Sequence, residues 1–569
     1  MRKVLLGLVC LFPAFPALAQ QQPRSPNVIL YIADGLRAGM VNVRSTPAMA
    51  ALMQRGVRFA NPHSLFPTVT TANASAMATG HYLGDTGDFS NNLYVGFPVL
   101  GARQVATVEN NDVLGELDKH YRGNYLNEET VLNLARDAGY STAAIGKLGP
   151  TLIFDHTERS GTKTVIVDDM TGHKSGIPLS DAVKQRLAKA QLPTEAPPSK
   201  VVNKDQQLWL ADVAIKAVLP MFKERGKPFV LVFWSRDPDV TQHDQKDSLE
   251  RLVPGINGPS SLAAIRNADD TLARLLAALK EQGLEGTTDV IVTADHGFST
   301  ISKESATSYA ATQTYPDVTS GQLPPGFVAI DLAHDLGLKL QGGGLLADDA
   351  EHPKAIVVAS GGSDLIYLLD NDKALAARIV TALAREDYAS GLFVDDTLGR
   401  IPGTLPLSAI GLQGSAVVPR PAIVVNFRSF STGCPDPTTC GVEIADTGLK
   451  QGQGIHGNFS RADTRNAMGA AGPSFREKFE STAPASNADL GKTIAHLMGL
   501  KAQDKGKLVG RVLTEALPNG GTMPLVQSTV LRSEPDALGN VTVLVTKRAD
   551  QAVYFDAAGY PGRTLGLPR

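Results

Sequence analysis

The sequence is short of several things, and each shortage closes off a class of function. Among 569 residues there are three cysteines and two tryptophans, and aromatic residues make up 6%. So few cysteines cannot build a thiolate-rich zinc module or a disulfide-dense scaffold. Lysine and arginine (54) nearly balance aspartate and glutamate (57), with no basic block among them. That argues against a nucleic-acid-binding module, which gathers its cations on one face. Beyond the N-terminus no apolar run approaches the roughly 18 residues that a membrane span requires.

The N-terminus reads Met1-Arg2-Lys3, an apolar run from Val4 to Phe15, then Ala17-Leu18-Ala19 before Gln20. This is the pattern of a secretory signal, with cleavage expected after Ala19. Cys10 would leave with it. Cys434 and Cys440 remain, flanking the turn-rich Pro435 to Thr439, a segment short enough to close as a small disulfide loop in an oxidising compartment. A zinc clip would need further Cys or His at ligand spacing, and none stands nearby. The mature protein is expected to be exported, periplasmic or secreted, and nothing in the sequence points to a protein partner.

What the chain does contain is a set of apolar strands that stop abruptly at carboxylates. Val290 to Ala294 runs without alternation into Asp295, His296 and Gly297, Asn27 to Ala33 runs into Asp34 and Gly35, and Pro228 to Trp234 leads to Asp239 and His243. Continuous apolar strands suit a parallel sheet covered on both faces, and in such sheets reactive groups collect at the carboxyl ends of the strands. Helical spacing over Thr46 to Arg55, Glu128 to Gly139, Gln206 to Phe222 and Ser261 to Gln282 completes an alternating α/β pattern.

Single cores stop growing near 250–300 residues, so a chain of this length should carry accessory parts. The expected organisation is a signal (1–19), an α/β core (20–297), a Gly-, Pro- and Ser-rich α+β insertion (298–454), the rest of the core (455–517) and a C-terminal β extension (518–569). Within the insertion, strands are expected at Ala355–Ala359 and Leu365–Leu369 and a helix at Ala374–Arg385. A further core helix is expected from Leu490 to Leu500.

Asp34, Asp239 and Asp295, with His243, His296 and His456, make six carboxylate and imidazole groups and no thiolate. That donor set fits zinc or a similar divalent cation, and six ligands are too many for one tetrahedral ion, so two ions would share them. A two-metal site needs an attacking oxygen. Phe66 to Gly80 begins as a loop and continues as a helix, and a hydroxyl at its start would be favoured as an alkoxide by the helix dipole. Residue types alone do not choose among Thr68, Thr70, Thr71 and Ser75.

Taken in order, Asp34-Gly35-Leu36-Arg37, Pro67 to Asn73, Pro238-Asp239 with His243, Ala294-Asp295-His296-Gly297 and His456-Gly457 resemble the motifs of the alkaline phosphatase superfamily, in its type I phosphodiesterase and nucleotide pyrophosphatase branch. Met468 to Phe475 and Leu490 to Leu500 are similar to that branch's C-terminal core. The resemblance spans Asn27 to about Leu517 and implies an alkaline phosphatase-like fold, a mostly parallel sheet flanked by helices. It implies two zinc ions, one held by Asp239, His243 and His456 and the other by Asp34, Asp295 and His296. Thr70 would be the nucleophile and bridge to the second ion, Asn73 would contact a phosphoryl oxygen, and a phospho-threonine intermediate would form. Thr70 lacks the Cys or Ser motif that sulfatases of the superfamily modify.

The chain also departs from its relatives. Asn73-Ala74 stands where diesterases of the branch have Asn-His, and Gly87-Asp88 stands where His-Gly is familiar. Lys147 resembles a lysine of phosphate monoesterases and phosphonoacetate hydrolases in the superfamily, yet the second cation that those relatives carry two residues later is replaced by Gly149. A phosphodiesterase or nucleotide pyrophosphatase is therefore the first reading, with a phosphate monoesterase or phosphonate hydrolase as the alternative. An inactive exported binding protein, which should show a broken ligand set, is the remote one.

Overall fold

The computed structural model describes residues 26–101, 103–349 and 352–567. The expected signal segment lies outside the described residues. An eight-stranded sheet forms the core, in the order Phe479–Ser486, Val57–His63, Met468–Ala471, Thr288–Thr293, Asn27–Ala33, Phe229–Ser235, Ser141–Gly146 and Thr164–Val167. Met468–Ala471 runs antiparallel to both its neighbours and the other pairings are parallel. The three strands expected to end in ligands are adjacent: Asn27–Ala33 pairs in parallel with Phe229–Ser235 on one side and Thr288–Thr293 on the other. That register brings their carboxyl ends to one edge, as the unbroken apolar runs imply.

Each face of this sheet has its own core. Val28, Leu30, Ile32, Val230, Val232 and Ile291 point into one and Ile29, Tyr31, Leu231, Phe233, Val290 and Val292 into the other, the strand period of two seen from both sides. Helix Pro259–Glu281 covers the second face through Ile265, Ala268, Leu272, Leu275 and Leu279. It begins with proline in its first turn, where the missing N–H costs nothing. Helix Thr70–Thr79 is buried along its whole length, consistent with its small Ala, Ser and Thr side chains packing closely on the first face. Among the described residues no helix is long and apolar enough to cross a membrane.

A second, seven-stranded sheet lies within residues 339–427. It contains Pro353–Ala359, Ser363–Leu368 and the nearby helix Lys373–Leu383, close to the expected elements. Cys434 and Cys440 are joined by a disulfide. The C-terminal sheet is less peripheral than its alternating sequence implies. Ala552–Gly559 is almost wholly buried, with Ala558 N donating to Phe459 O, Arg461 paired with Asp556, and Asn426 Nδ2 donating to Ala558 O.

Candidate active site

Asp34 stands at the end of its strand, and its turn requires Gly35. That glycine has φ +65°, and a Cβ there would lie 2.7 Å from Phe298 and 3.3 Å from the Asp239 side chain. The close approach lets Gly35 N donate to Asp295 Oδ1 at 3.0 Å, so the strand ends that carry Asp34 and Asp295 are tied directly. Asp239 and His243 lie one turn apart on the short helix Asp239–Asp244, which places His243 Nε2 3.2 Å from Asp239 Oδ1. His456 Nε2 is 3.4 Å from the same oxygen. On the other side His296 Nε2 is 3.1 Å from Asp295 Oδ2 and 3.6 Å from Asp34 Oδ1. All six expected ligands therefore converge, with the rings of His296 and His456 stacked at 3.7 Å between centroids.

The donor set fits divalent cations on two independent observations. Asp34 Oδ1, Asp239 Oδ1 and Asp295 Oδ2 are buried without a hydrogen-bond partner among the described residues, an arrangement that is costly without a cation. The other oxygens of Asp34 and Asp239 are held, by Trp234 Nε1 at 2.7 Å and by Lys147 at 3.0 Å. Each histidine also sets its Nδ1 against a carbonyl: His243 against Gly454 O at 2.8 Å, His296 against Gly297 O at 2.8 Å, and His456 against Thr68 O at 2.9 Å. A carbonyl only accepts, so Nδ1 carries a proton and Nε2 is the ring nitrogen turned toward the carboxylates, the one that would ligate a cation held among them. This is how protein metal ligands are commonly oriented.

The charges are strongly interdependent. Burial, then the charges of Asp239 and Asp295, push Asp34 well above the ordinary carboxylate range. Burial opposes the imidazolium of His296, but Asp295 and Asp34 outweigh it and raise that histidine to about 9. Burial and the neighbouring His296 lower His456 to about 3. Three carboxylates enclosed together call for positive charge.

Of the four candidate hydroxyls, three have partners elsewhere. Thr68 Oγ1 donates to Asn458 O at 2.9 Å, Thr71 Oγ1 to Asp88 Oδ1 at 3.0 Å, and Ser75 Oγ to Ala72 O at 2.8 Å. Thr70, the first residue of its helix, instead sets Oγ1 3.4 Å from His296 Nε2 and accepts from Lys147 Nζ at 3.1 Å. Lys147 thus reaches the centre of the cluster, with Asp34 Oδ2 and Asp239 Oδ2 each at 3.0 Å and Glu109 Oε1 at 3.2 Å. Burial works against its charge, but Asp239, Asp34 and Glu109 hold it well above the ordinary lysine range.

Asn73 departs from expectation. Its Nδ2 donates to Leu65 O and Val69 O, both at 3.1 Å, while its Oδ1 accepts from Leu65 N and Asn487 Nδ2, both at 2.9 Å. Both amide hydrogens are committed to the loop preceding Thr70, so none is left for a phosphoryl oxygen. Asn487 also donates to Asp295 O at 2.7 Å, so Asn73 and Asn487 brace the Thr70 helix against the Asp295 strand. Asn91, beside Thr70, has a free amide nitrogen: its Oδ1 accepts from Thr71 N at 2.9 Å while its Nδ2 makes no hydrogen bond among the described residues. Sequence reading missed Asn91, Asn487 and Glu109.

Asp88 has a role in the same turn. Burial, then the charge of Glu109, raises it to about 8 although Thr71 donates to it. Its folded value lies above the unfolded one, so the folded protein binds the extra proton between about pH 4 and pH 8, and stability must fall as pH rises through that window. Asp88→Asn keeps the Thr71 contact without the ionisation. Its melting temperature should match the wild type near pH 4 and exceed it by a margin that widens to several degrees at pH 8, read by circular dichroism; a constant margin would refute the assignment.

A third group, His81, Glu128 and Asp504, also brings ligand-type atoms together. There the ammonium of Lys492 already lies against both His81 Nε2 and Asp504, so a cation is built in.

No curated protein matches the chain. Human ectonucleotide pyrophosphatase/phosphodiesterase 5 aligns at 17% identity and a TM-score of 0.49, covering 84% of this chain and 96% of its own. The murine protein aligns with the same identity and coverage and a TM-score of 0.50, a likeness of fold. A family model described as type I phosphodiesterase / nucleotide pyrophosphatase matches residues 28–402. The chain thus belongs to the type I phosphodiesterase/nucleotide pyrophosphatase family of phosphoester hydrolases.

Proposed function

We propose that the protein is an exported, zinc-dependent phosphodiesterase or nucleotide pyrophosphatase that works through Thr70 and a phospho-threonine intermediate. The observation that carries this reading is the position of Thr70 Oγ1, the one candidate hydroxyl set between Lys147 and His296. Asp239, His243 and His456 would hold one zinc ion and Asp34, Asp295 and His296 the other, with Thr70 facing the second group. Two such ions would supply Lewis-acid charge, favouring ionisation of a nearby hydroxyl and offsetting charge on the attacking and departing oxygens.

The chain's own residues do the rest. Thr70 Oγ1 gives its proton to solvent and attacks phosphorus, the bond from phosphorus to the ester oxygen breaks, the departing oxygen takes up a proton from solvent, and the phosphoryl group is left on threonine. Lys147 donates to Thr70 Oγ1, so its charge favours the alkoxide over the hydroxyl. In the first turn of helix Thr70–Thr79 the Thr71 amide is taken by Asn91 Oδ1 and the Asn73 amide by Val69 O, which leaves those of Thr70 and Ala72 to suit phosphoryl oxygens, as does the free amide nitrogen of Asn91. Water then displaces the threonine oxygen and regenerates the hydroxyl. Burial of Thr70, Asp34, Asp295 and His296 at 0% exposure keeps these charges in a low-dielectric setting, with His243 at 20% side-chain exposure on the open side.

Reading residues 298–454 as a roof over the site is supported by Gly362 N, which donates to His456 O at 3.0 Å, and by Ser360 Oγ, 2.6 Å from Ser90 Oγ. The position of Lys147 favours a second reading, a phosphate monoesterase, because an ammonium beside the nucleophile attracts a dianionic phosphoryl group. Zinc-loaded protein should give a higher kcat/KM with bis-p-nitrophenyl phosphate than with p-nitrophenyl phosphate. The reverse order would establish the monoesterase, and turnover of neither would favour a phosphonate hydrolase or an inactive binding protein.

A further inference from the structure

Lys147 does not meet substrate as an isolated cation. Glu109 Oε1 lies 3.2 Å from its ammonium, and that ammonium lies 3.1 Å from Thr70 Oγ1, so the carboxylate sits one group away from the nucleophile. Glu109 comes from the chain segment just after the hairpin strand Arg103–Thr107, outside every ligand-bearing strand. Its placement is tied to Gly149. That residue has φ +90°, and a Cβ on it would lie 2.6 Å from Glu109 Cα and 3.2 Å from Glu109 Cβ. Any side chain at position 149 would collide with Glu109, so the space a second cation would need is already filled.

The arginines nearest in the fold, among the described residues, are committed elsewhere. Arg236 pairs with Asp169 Oδ2 at 3.3 Å and donates to Gln206 Oε1 at 3.0 Å, and Arg37 donates to Asn257 and to the carbonyls of Ile256 and Thr439. Asp169 Oδ1 lies buried without a hydrogen-bond partner among the described residues, and a protonated Asp88 adds no positive charge around Glu109. The flank of the phosphoryl position is one ammonium faced by a carboxylate.

We propose that Glu109 is the specificity-determining residue of this site: it cancels part of the Lys147 charge and selects singly charged phosphodiesters over doubly charged phosphate monoesters. The inference rests on the phosphoester-hydrolase reading above and gives its substrate class a cause in this chain. A monoester carries one more negative charge than a diester. At about 6 Å from a carboxylate, with an effective dielectric of about 20–40, one further charge is disfavoured by about tenfold to a hundredfold.

The test uses the zinc-loaded protein, with kcat and KM for bis-p-nitrophenyl phosphate and p-nitrophenyl phosphate and the inhibition constant of inorganic phosphate. Glu109→Gln should raise the monoester-to-diester ratio of kcat/KM about tenfold or more, mainly through a lower monoester KM, and should tighten phosphate inhibition to a similar extent. Glu109→Asp, which keeps the charge, should stay near the wild-type ratio. If Glu109→Gln retains metal and turnover while its ratio and phosphate inhibition stay within twofold of wild type, the inference is overturned and the phosphoester reading stands. A wild type that turns over neither ester would overturn both.

Discussion

Thr70→Ala should lower kcat/KM for any phosphoester substrate by on the order of 10⁴-fold or more, while zinc content and melting temperature stay close to wild type. The magnitude follows from losing the group that forms the covalent intermediate; hydrolases that lose their nucleophile keep only what binding and fixed electrostatics supply. The specificity of the effect follows from geometry. Thr68, Thr71 and Ser75 lie within five residues of Thr70, but each donates its hydroxyl to a carbonyl or carboxylate away from the ligands, so none stands ready to substitute. Thr70→Ser, which restores an oxygen without the methyl that fixes its rotamer, should recover part of the rate. Rapid-quench measurement should show a burst of released nitrophenol in wild type and Thr70→Ser and none in Thr70→Ala. Full activity in Thr70→Ala would remove Thr70 from the mechanism.

The convergence of the carboxylates was legible because parallel strands buried on both faces leave an unbroken apolar run, and such a run ending in a carboxylate is conspicuous. Asp34 and Asp295 are read this way directly, and Asp239 with His243 through one-turn spacing. The braces were not legible. Asn73 contacts Asn487 across 414 residues, and Lys147 meets Glu109 from a separate loop, so neither pair leaves a local pattern. Asn73 shows the cost of reading by position. It lies in the expected motif, yet its amide is consumed by the loop it stabilises. The C-terminal strand Ala552–Gly559 is present as expected, but its packing was not legible. Alternation predicts a strand, but its partners at Phe459, Arg461 and Asn426 are supplied by distant parts of the chain.

Exhaustive chelation should abolish turnover and also lower the melting temperature, and the second effect is the more informative. Without a cation, Asp34, Asp239 and Asp295 share a buried space with Lys147 as the ammonium within reach, and Asp34 is held well above its usual range by burial and its two carboxylate neighbours. Cations that bind only the folded chain stabilise it by about 4 kcal/mol at a thousandfold excess over Kd. Returning zinc to the chelated protein should therefore raise its melting temperature by several degrees, saturating at two ions per chain. His243→Ala and Asp295→Asn separate the two groups: each should reduce the bound zinc towards one per chain, measured by mass spectrometry of the metal, and each should lower turnover by at least about a hundredfold. His243 is the more open of the two, so its variant should keep a melting temperature nearer to wild type. Turnover that survives chelation to less than a tenth of an ion per chain would mean that the six side chains serve the fold and that Thr70 is activated by Lys147 alone.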